Sequence, residues 1–268
     1  MWLDSYSYHV AGSGIGLFTA RRLHKDGWEV SIADINEKAG QVAAEEVDGI
    51  FTKVDITKYE SLVQVFEKTW KKWQRIDFVF SNAGILDVAD FYAKQETLPP
   101  PEPSLATSKV SVDGYIYTSY LALHYFRQNP NPGSTLILTS SASALYESPI
   151  LPLYCAAKYA VVGLARSLGK GLQEEKIRVN TILPGAVPTN IGLPPKLKQL
   201  GITPTMPEDK LTTPDNIVDA VYELLNDQEA YGVVMEVSGP NRYRRPKHDY
   251  PDATMAFVMG EKDAWDKA

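Results

Sequence analysis

The chain has 268 residues, enough for a full core, and its 44% hydrophobic and 22% charged content is that of a globular protein. A net charge of −6 without a basic block argues against nucleic-acid binding, and no run of 18 apolar residues is present to span a membrane as a helix. One cysteine, Cys155, excludes an intrachain disulfide and fits a reducing, cytoplasmic setting; with four histidines beside it, the sequence offers no metal-ligand cluster. The N-terminus has no basic stretch followed by an apolar one, so no secretory leader is expected.

Residues 1–10 alternate weakly, with Tyr6, Tyr8 and Val10 on one side. A central parallel strand is covered on both faces and reads as a near-continuous apolar run, so this is a poor first strand. Either these residues make an imperfect strand, or the true first strand is missing from this version of the chain. Next comes Ala11-Gly12-Ser13-Gly14-Ile15-Gly16, then a helical period through Leu17, Ala20, Leu23 and His24, ending near Gly27. Glycines there let the backbone approach a pyrophosphate, which the free N–H groups and dipole of a helix N-terminus favour. A tight turn with close helix–sheet packing is the competing reading.

Residues 28–33 predict a strand ending at Asp34, eighteen residues past Gly16. That is near the spacing of a carboxylate that binds adenosine ribose hydroxyls. A carboxylate there repels a 2′-phosphate, so NAD is favoured over NADP. A helix capped by Asn36 or Asp34 runs to about Val47, and strand 50–54 ends at Asp55. Thr57 and Glu60 form a capping box for a helix carrying Leu62, Val65, Phe66 and Trp70. Strand 78–80 ends in Ser81-Asn82-Ala83-Gly84, and the Pro-rich run 98–103 is a loop. A long helix covers 104–128, followed by strand 135–140, a helix over about 153–172 and strand 176–183. Pro184-Gly185 opens a Pro-rich segment that reaches Pro214. Helix 215–225 and strand 233–237 follow. The polar tail from Pro240 carries Arg242, Arg244, Arg245 and Lys247, read as solvated or at a subunit contact.

The alternation of strand and helix predicts one α/β domain over 1–268: a doubly wound Rossmann fold with a parallel sheet and an atypical first strand. Within it, Tyr154 and Lys158 lie four apart, on one helix face, with Ser141 thirteen residues upstream at a strand's C-terminal end. An ammonium beside a phenol lowers its pKa toward neutrality and makes it a general acid or base. Taken alone, a Tyr/Lys pair is more often packing plus a solvated charge. Ser143 reads as a loop hydroxyl bonding backbone or as a second substrate contact, and Tyr146 as lining or covering a pocket. Cys155 reads as a small core residue, His124 as a surface residue, and Trp70 and Trp73 as helix–sheet packing.

With these residues in order, the chain from Ala11 to Ser238 resembles the short-chain dehydrogenase/reductase family, and within it NAD-dependent members of the 15-hydroxyprostaglandin dehydrogenase type. The resemblance implies a cofactor loop at Gly12, Ser13, Gly14, Ile15 and Gly16, an adenine contact at Asp55, and a strand end at Asn82, Ala83 and Gly84. It also implies catalytic Ser141, Tyr154 and Lys158, and a nicotinamide clamp at Pro184, Gly185, Val187 and Thr189. The implied reaction is hydride transfer between NAD(H) and a secondary alcohol or ketone. Tyr154 would be the acid/base, Ser141 would polarise the substrate oxygen, and Lys158 would bond the nicotinamide ribose. An apolar lid is implied over about 190–213 through Leu193, Leu200, Ile202 and Met206, as is a homodimer or homotetramer through the two long helices.

The chain departs from the family in two places. Aligned on Gly14 and Gly16, its threonine falls on His9 and its first glycine on Val10, where a β-branched residue in a turn needing positive φ would be strained. Its relay asparagine is replaced by Ser111. These departures support the alternative of a non-catalytic nucleotide-binding or scaffold relative with an impaired cofactor turn.

Overall fold

Every residue is buried in three strands, β4 (Phe78–Ser81), β5 (Thr135–Thr139) and β6 (Arg178–Pro184), and they run side by side in one eight-stranded sheet. A computed structural model of the chain describes the backbone of residues 6–10, and residues 12–189, 191, 197, 201 and 206–260. The strand order is β3 (Ile50–Lys53), β2 (Glu29–Asp34), β1 (Tyr6–Val10), β4, β5, β6, β7 (Val234–Ser238) and β8 (Asn241–Arg245). Each pairing up to β7 is parallel, and β8 returns antiparallel to β7.

Helices cover both faces, as continuous apolar strands require. On one lie α1 (Gly14–Lys25) and α2 (Glu37–Glu46), over a core that includes Ala20, Leu23, Ile32, Phe80 and Ile182. On the other lies α3 (Tyr59–Trp73), whose Phe66 joins a core with Val79, Leu136 and Val179. The short helix α4 (Ala106–Ser108) leads through a π-helical turn, Lys109–Asp113, into α5 (Gly114–Phe126), and α6 (Pro152–Gly171) lies beside them on that face. Next, α7 (Pro214–Asn226) returns to the first face, and α8 (Ala253–Val258) lies in the tail. Among the described residues no helix is long and apolar enough to cross a membrane.

Several elements differ from the predicted ones. The weak first segment is a strand, bonded on both sides: Tyr8 sits opposite Ser31 of β2 and Val79 of β4. Val10 is its last residue, opposite Ala33, and the left-handed conformation falls instead at Gly14, with φ +57. Glycine carries no steric penalty there, so the expected strain does not arise. Thr57 does not cap α3. Its N–H and hydroxyl both donate to Asp55 Oδ1, at 3.0 and 2.7 Å, and the helix begins after Lys58. The predicted 104–128 helix is interrupted by the π turn, a feature that collects at functional sites. The tail is not simply solvated but forms β8 and α8. Most of the predicted lid, with Leu193, Leu200 and Ile202, lies outside the described residues, while Met206 is exposed.

Helix α6 approaches the sheet closely because Gly169 has no side chain. A Cβ there would lie 2.2 Å from the Gly232 nitrogen and 2.8 Å from the Val179 carbonyl oxygen. Backbone cannot yield as a flexible side chain can, so Gly169→Ala is expected to destabilise by about 1–3 kcal/mol. A urea midpoint equal to that of the unaltered protein would contradict this contact.

Candidate active site

Parallel strands deliver their C-terminal ends to one edge, and in open α/β sheets ligands bind there, at the point where the strand order reverses. The reversal here lies between β1 and β4. Gly14 follows β1, Asp34 ends β2, Asn82 follows β4, Ser141 follows β5 and Gly185 follows β6, so the structure brings the predicted residues to that edge.

The centre of the arrangement is Thr139, the last residue of β5. Its carbonyl accepts from the Lys158 ammonium at 2.8 Å and from the Tyr115 hydroxyl at 3.0 Å. Its hydroxyl donates to Asn82 Oδ1 at 3.0 Å, tying the ends of β4 and β5 together. Next to it, the Ser140 hydroxyl donates to the Lys158 carbonyl at 2.7 Å. The Lys158 ammonium lies 5.1 Å from the Tyr115 ring centre and 5.5 Å from that of Tyr154, within cation–π range. Ser141 caps a short turn by accepting from the Ser143 N–H at 3.2 Å, and its side chain hydrogen-bonds the Tyr154 oxygen. Ser143 therefore serves this turn through its backbone.

Burial decides the protonation of this group. Lys158 is 2% exposed, and desolvation brings its pKa down to about 7. Tyr154 moves against the predicted direction: burial pushes its phenol up, opposed by the hydrogen bond from Ser141. The reason is physical. Tyr154 is itself buried, and the solvation its phenolate would lose outweighs the Ser141 hydrogen bond.

The turn after β1 is tightly closed. Asp34 accepts from the Gly12 N–H at 2.6 Å through one carboxylate oxygen and from the Asn36 N–H at 2.8 Å through the other. A Cβ on Gly12 would lie 2.7 Å from the Gly40 nitrogen, so only glycine fits this approach. Ser13 is exposed and Ile15 packs partly into the core below. Two bare stretches of backbone suit a dinucleotide laid along the edge. A Cβ on Gly14 would sit 3.6 Å from Thr189 Cγ2, which puts the turn after β1 beside the loop after β6. A Cβ on Gly84 would sit 3.5 Å from the Lys158 nitrogen, so the loop after β4 lies open in front of the ammonium. Val187 packs against the core of that face and Pro184 is buried at the end of β6. Ser111 does not join the group through a hydrogen bond. Its buried hydroxyl has no partner, and the residue lines a groove of about 280 Å³ between α5 and α6.

Sequence reasoning missed two acids near this centre. Asp87 is 4% exposed and accepts from the Leu153 and Tyr154 N–H groups, at 3.0 and 2.6 Å, so it caps α6 from a distant loop. The available signal is the missing capping side chain before Pro152, where Leu151 stands. Glu236 on β7 bonds Tyr146 and Arg245, and no local pattern announces it.

Because the folded protein holds Lys158 near pH 7 and the unfolded chain near 10.5, the unfolded state binds the extra proton between those values. Stability contributed at this site therefore rises with pH across that window, by up to about 1.4 kcal/mol per unit. The excess stability of Lys158→Met over the unaltered protein is expected to shrink from pH 7 to pH 10 in denaturant titrations. A constant difference would mean that Lys158 is not buried as described.

Three comparisons bear on this arrangement. The family profile adh_short_C2, described as "Enoyl-(Acyl carrier protein) reductase", matches residues 10–238. The short-chain dehydrogenase/reductase prx7 of Penicillium rubens is 33% identical, over 92% of this chain and 94% of its own length. The 3-oxoacyl-[acyl-carrier-protein] reductase FabG of Thermotoga maritima is 27% identical, over 85% and 94%. Among solved structures, a 3-ketoacyl-(acyl-carrier-protein) reductase from Brucella melitensis complexed with NADH shares the fold, with a TM-score of 0.76 at 24% identity, over 89% of this chain and 98% of that one. On the profile and the Penicillium relative together, the chain belongs to the short-chain dehydrogenase/reductase family.

Proposed function

We propose that this chain is an NAD(H)-dependent oxidoreductase that interconverts a secondary alcohol and a ketone, with Tyr154 as acid/base. The observation that carries the reading is the Lys158 ammonium, buried against the Thr139 carbonyl beside a Tyr154 whose oxygen meets Ser141. When bound, a nicotinamide supplies the carbon that takes or gives the hydride. Ser141 then holds the substrate oxygen where charge develops, and Tyr154 takes or gives its proton. Lys158 spends one donor on Thr139 and keeps others for a ribose hydroxyl.

The remaining roles follow the edge. Gly12, Ser13, Gly14, Ile15 and Gly16 hold the pyrophosphate at the start of α1. Each Asp34 oxygen takes one backbone N–H and keeps a lone pair for a ribose hydroxyl, and its charge disfavours the 2′-phosphate of NADP. Asp55 faces adenine, Asn82, Ala83 and Gly84 flank the ribose, and Pro184, Gly185, Val187 and Thr189 hold the carboxamide. The NADH named with the Brucella structure supports this cofactor class. Exposed Phe91, Tyr92, Ile150 and Met206 lie in the segments after β4, β5 and β6 and suit a lipophilic substrate. We assign the protein to secondary metabolism in the cytoplasm, as one catalytic domain in a homodimer or homotetramer. Exposed Ile116, Tyr120 and Tyr159 on α5 and α6 suit such an assembly. The short Gly12–Asp34 bond favours a second reading, a scaffold relative whose cofactor turn is closed.

Titration with NADH, followed by tryptophan fluorescence, separates the two: no binding at millimolar concentration rules out the enzyme. A panel of alcohols and ketones with NAD(H) then identifies turnover. Tyr154→Phe is expected to lower turnover at least about 10²-fold while NADH still binds; full activity would remove Tyr154 from its role. Asp34→Ala is expected to move preference toward NADP, and an unchanged ratio would exclude the ribose contact.

A further inference from the structure

The family profile ends at residue 238, and the chain continues into a further strand. β8 covers β7 with Glu236 opposite Tyr243 and Val234 opposite Arg245. Two of its arginines grip α7: Arg242 bonds Glu223 at 3.0 Å, and Arg244 bonds Glu223 at 3.2 Å and Asp227 at 2.8 Å. Arg245 turns the other way, onto the face of α6. It pairs with Glu236, whose side chain is 7% exposed, and donates to the Tyr146 hydroxyl at 2.7 Å. That hydroxyl lies 3.3 Å from the same Glu236 oxygen. A carboxylate this buried requires its cation, so β8 is bound to β7 by more than backbone pairing.

Tyr146 ends the turn that Ser141 begins. The Ala144 N–H bonds the Ser141 carbonyl at 2.9 Å, the Leu145 N–H bonds the Ala142 carbonyl at 2.9 Å, and the Tyr146 N–H bonds the Ala142 carbonyl at 3.0 Å. Ala144 and Leu145 pack on Val162, Leu183 and Val234. Residues 141–146 are thus a short stiff lever with Ser141 at one end and a ring hydroxyl clamped by the tail at the other.

We propose that Arg245 is a positioning residue: the tail strand fixes Tyr146, and through the turn it sets where Ser141 stands against Tyr154. The kinetic part rests on the function proposed above; the structural part does not. A tail that is only a cover would leave the turn unchanged when the link is cut. Tyr146→Phe cuts the link while keeping the Arg245–Glu236 pair. Arg245→Met cuts it and strands the carboxylate, and Glu236→Gln with Arg245→Met removes that stranded charge.

Hydrogen exchange of the 143–146 amides, kcat/KM for a substrate from the panel, and NADH affinity are measured on each variant. Exchange is expected to rise about tenfold, as one lost hydrogen bond of ordinary strength allows. kcat/KM is expected to fall about fivefold or more, with NADH affinity within about twofold, and to stay low in the double variant. Wild-type exchange in Tyr146→Phe overturns the proposal. So does faster exchange with unchanged kcat/KM in an active protein, or full recovery in the double variant, which would trace the defect to the stranded charge. If the unaltered chain turns over no substrate, the proposed function fails and the exchange measurement alone decides the role of the tail.

Discussion

Lys158 places an ammonium where only 2% of the residue is exposed, and a charge that deep has to be met by other groups. The Thr139 carbonyl meets it directly, and the rings of Tyr115 and Tyr154 surround it. Each of those groups is fixed in turn. Thr139 is the end of a wholly buried strand, Tyr115 is a fully buried residue of α5, and Asn82 joins the neighbouring strand end to Thr139. Three further bonds set the helix that carries the lysine: one from Ser140 to the Lys158 carbonyl, and two to Asp87 from the N–H groups of its first turn. The cation depends on this packing, and the packing in turn fixes Tyr154 and Ser141.

Most of this architecture is legible because it repeats simple signals. The strand ends at Asp34, Ser81 and Pro184 follow apolar runs, and α6 starts at a proline and carries its Tyr/Lys pair at helical spacing. The first strand was the weak point. Its composition suits a half-exposed strand, yet it is paired on both sides, because sheet position is decided by long-range pairing rather than by the segment itself. The same reason explains Thr57. A local capping pattern was present, but Asp55 took both of its donors first.

The two missed acids act across long stretches of chain. Asp87 caps a helix 66 residues away, and Glu236 is matched by an arginine on the next strand and a tyrosine 90 residues back. Spacing patterns describe neighbours on one helix or strand, so contacts of this kind leave no periodic trace. The tail adds a second difficulty. Asn241–Arg245 has no apolar face, and an edge strand rich in arginine reads as loop although charge is a common way to build such edges.

The two hidden acids act on opposite ends of one segment. Asp87 holds the beginning of α6, and so the backbone of Tyr154; Glu236 and Arg245 hold the end of the turn that starts at Ser141. Between them lie the residues 147–151, which have no regular structure and include exposed Pro149 and Ile150. A loop carrying such side chains can vary without moving the two oxygens it connects, provided both ends stay pinned. That separates two demands on the same stretch of chain. The Ser141–Tyr154 geometry is kept by buried charge and backbone hydrogen bonds, while the exposed connection is free to change its shape and apolar surface. Specificity in such a site would be altered in the connection, and chemistry would be lost first at the pins.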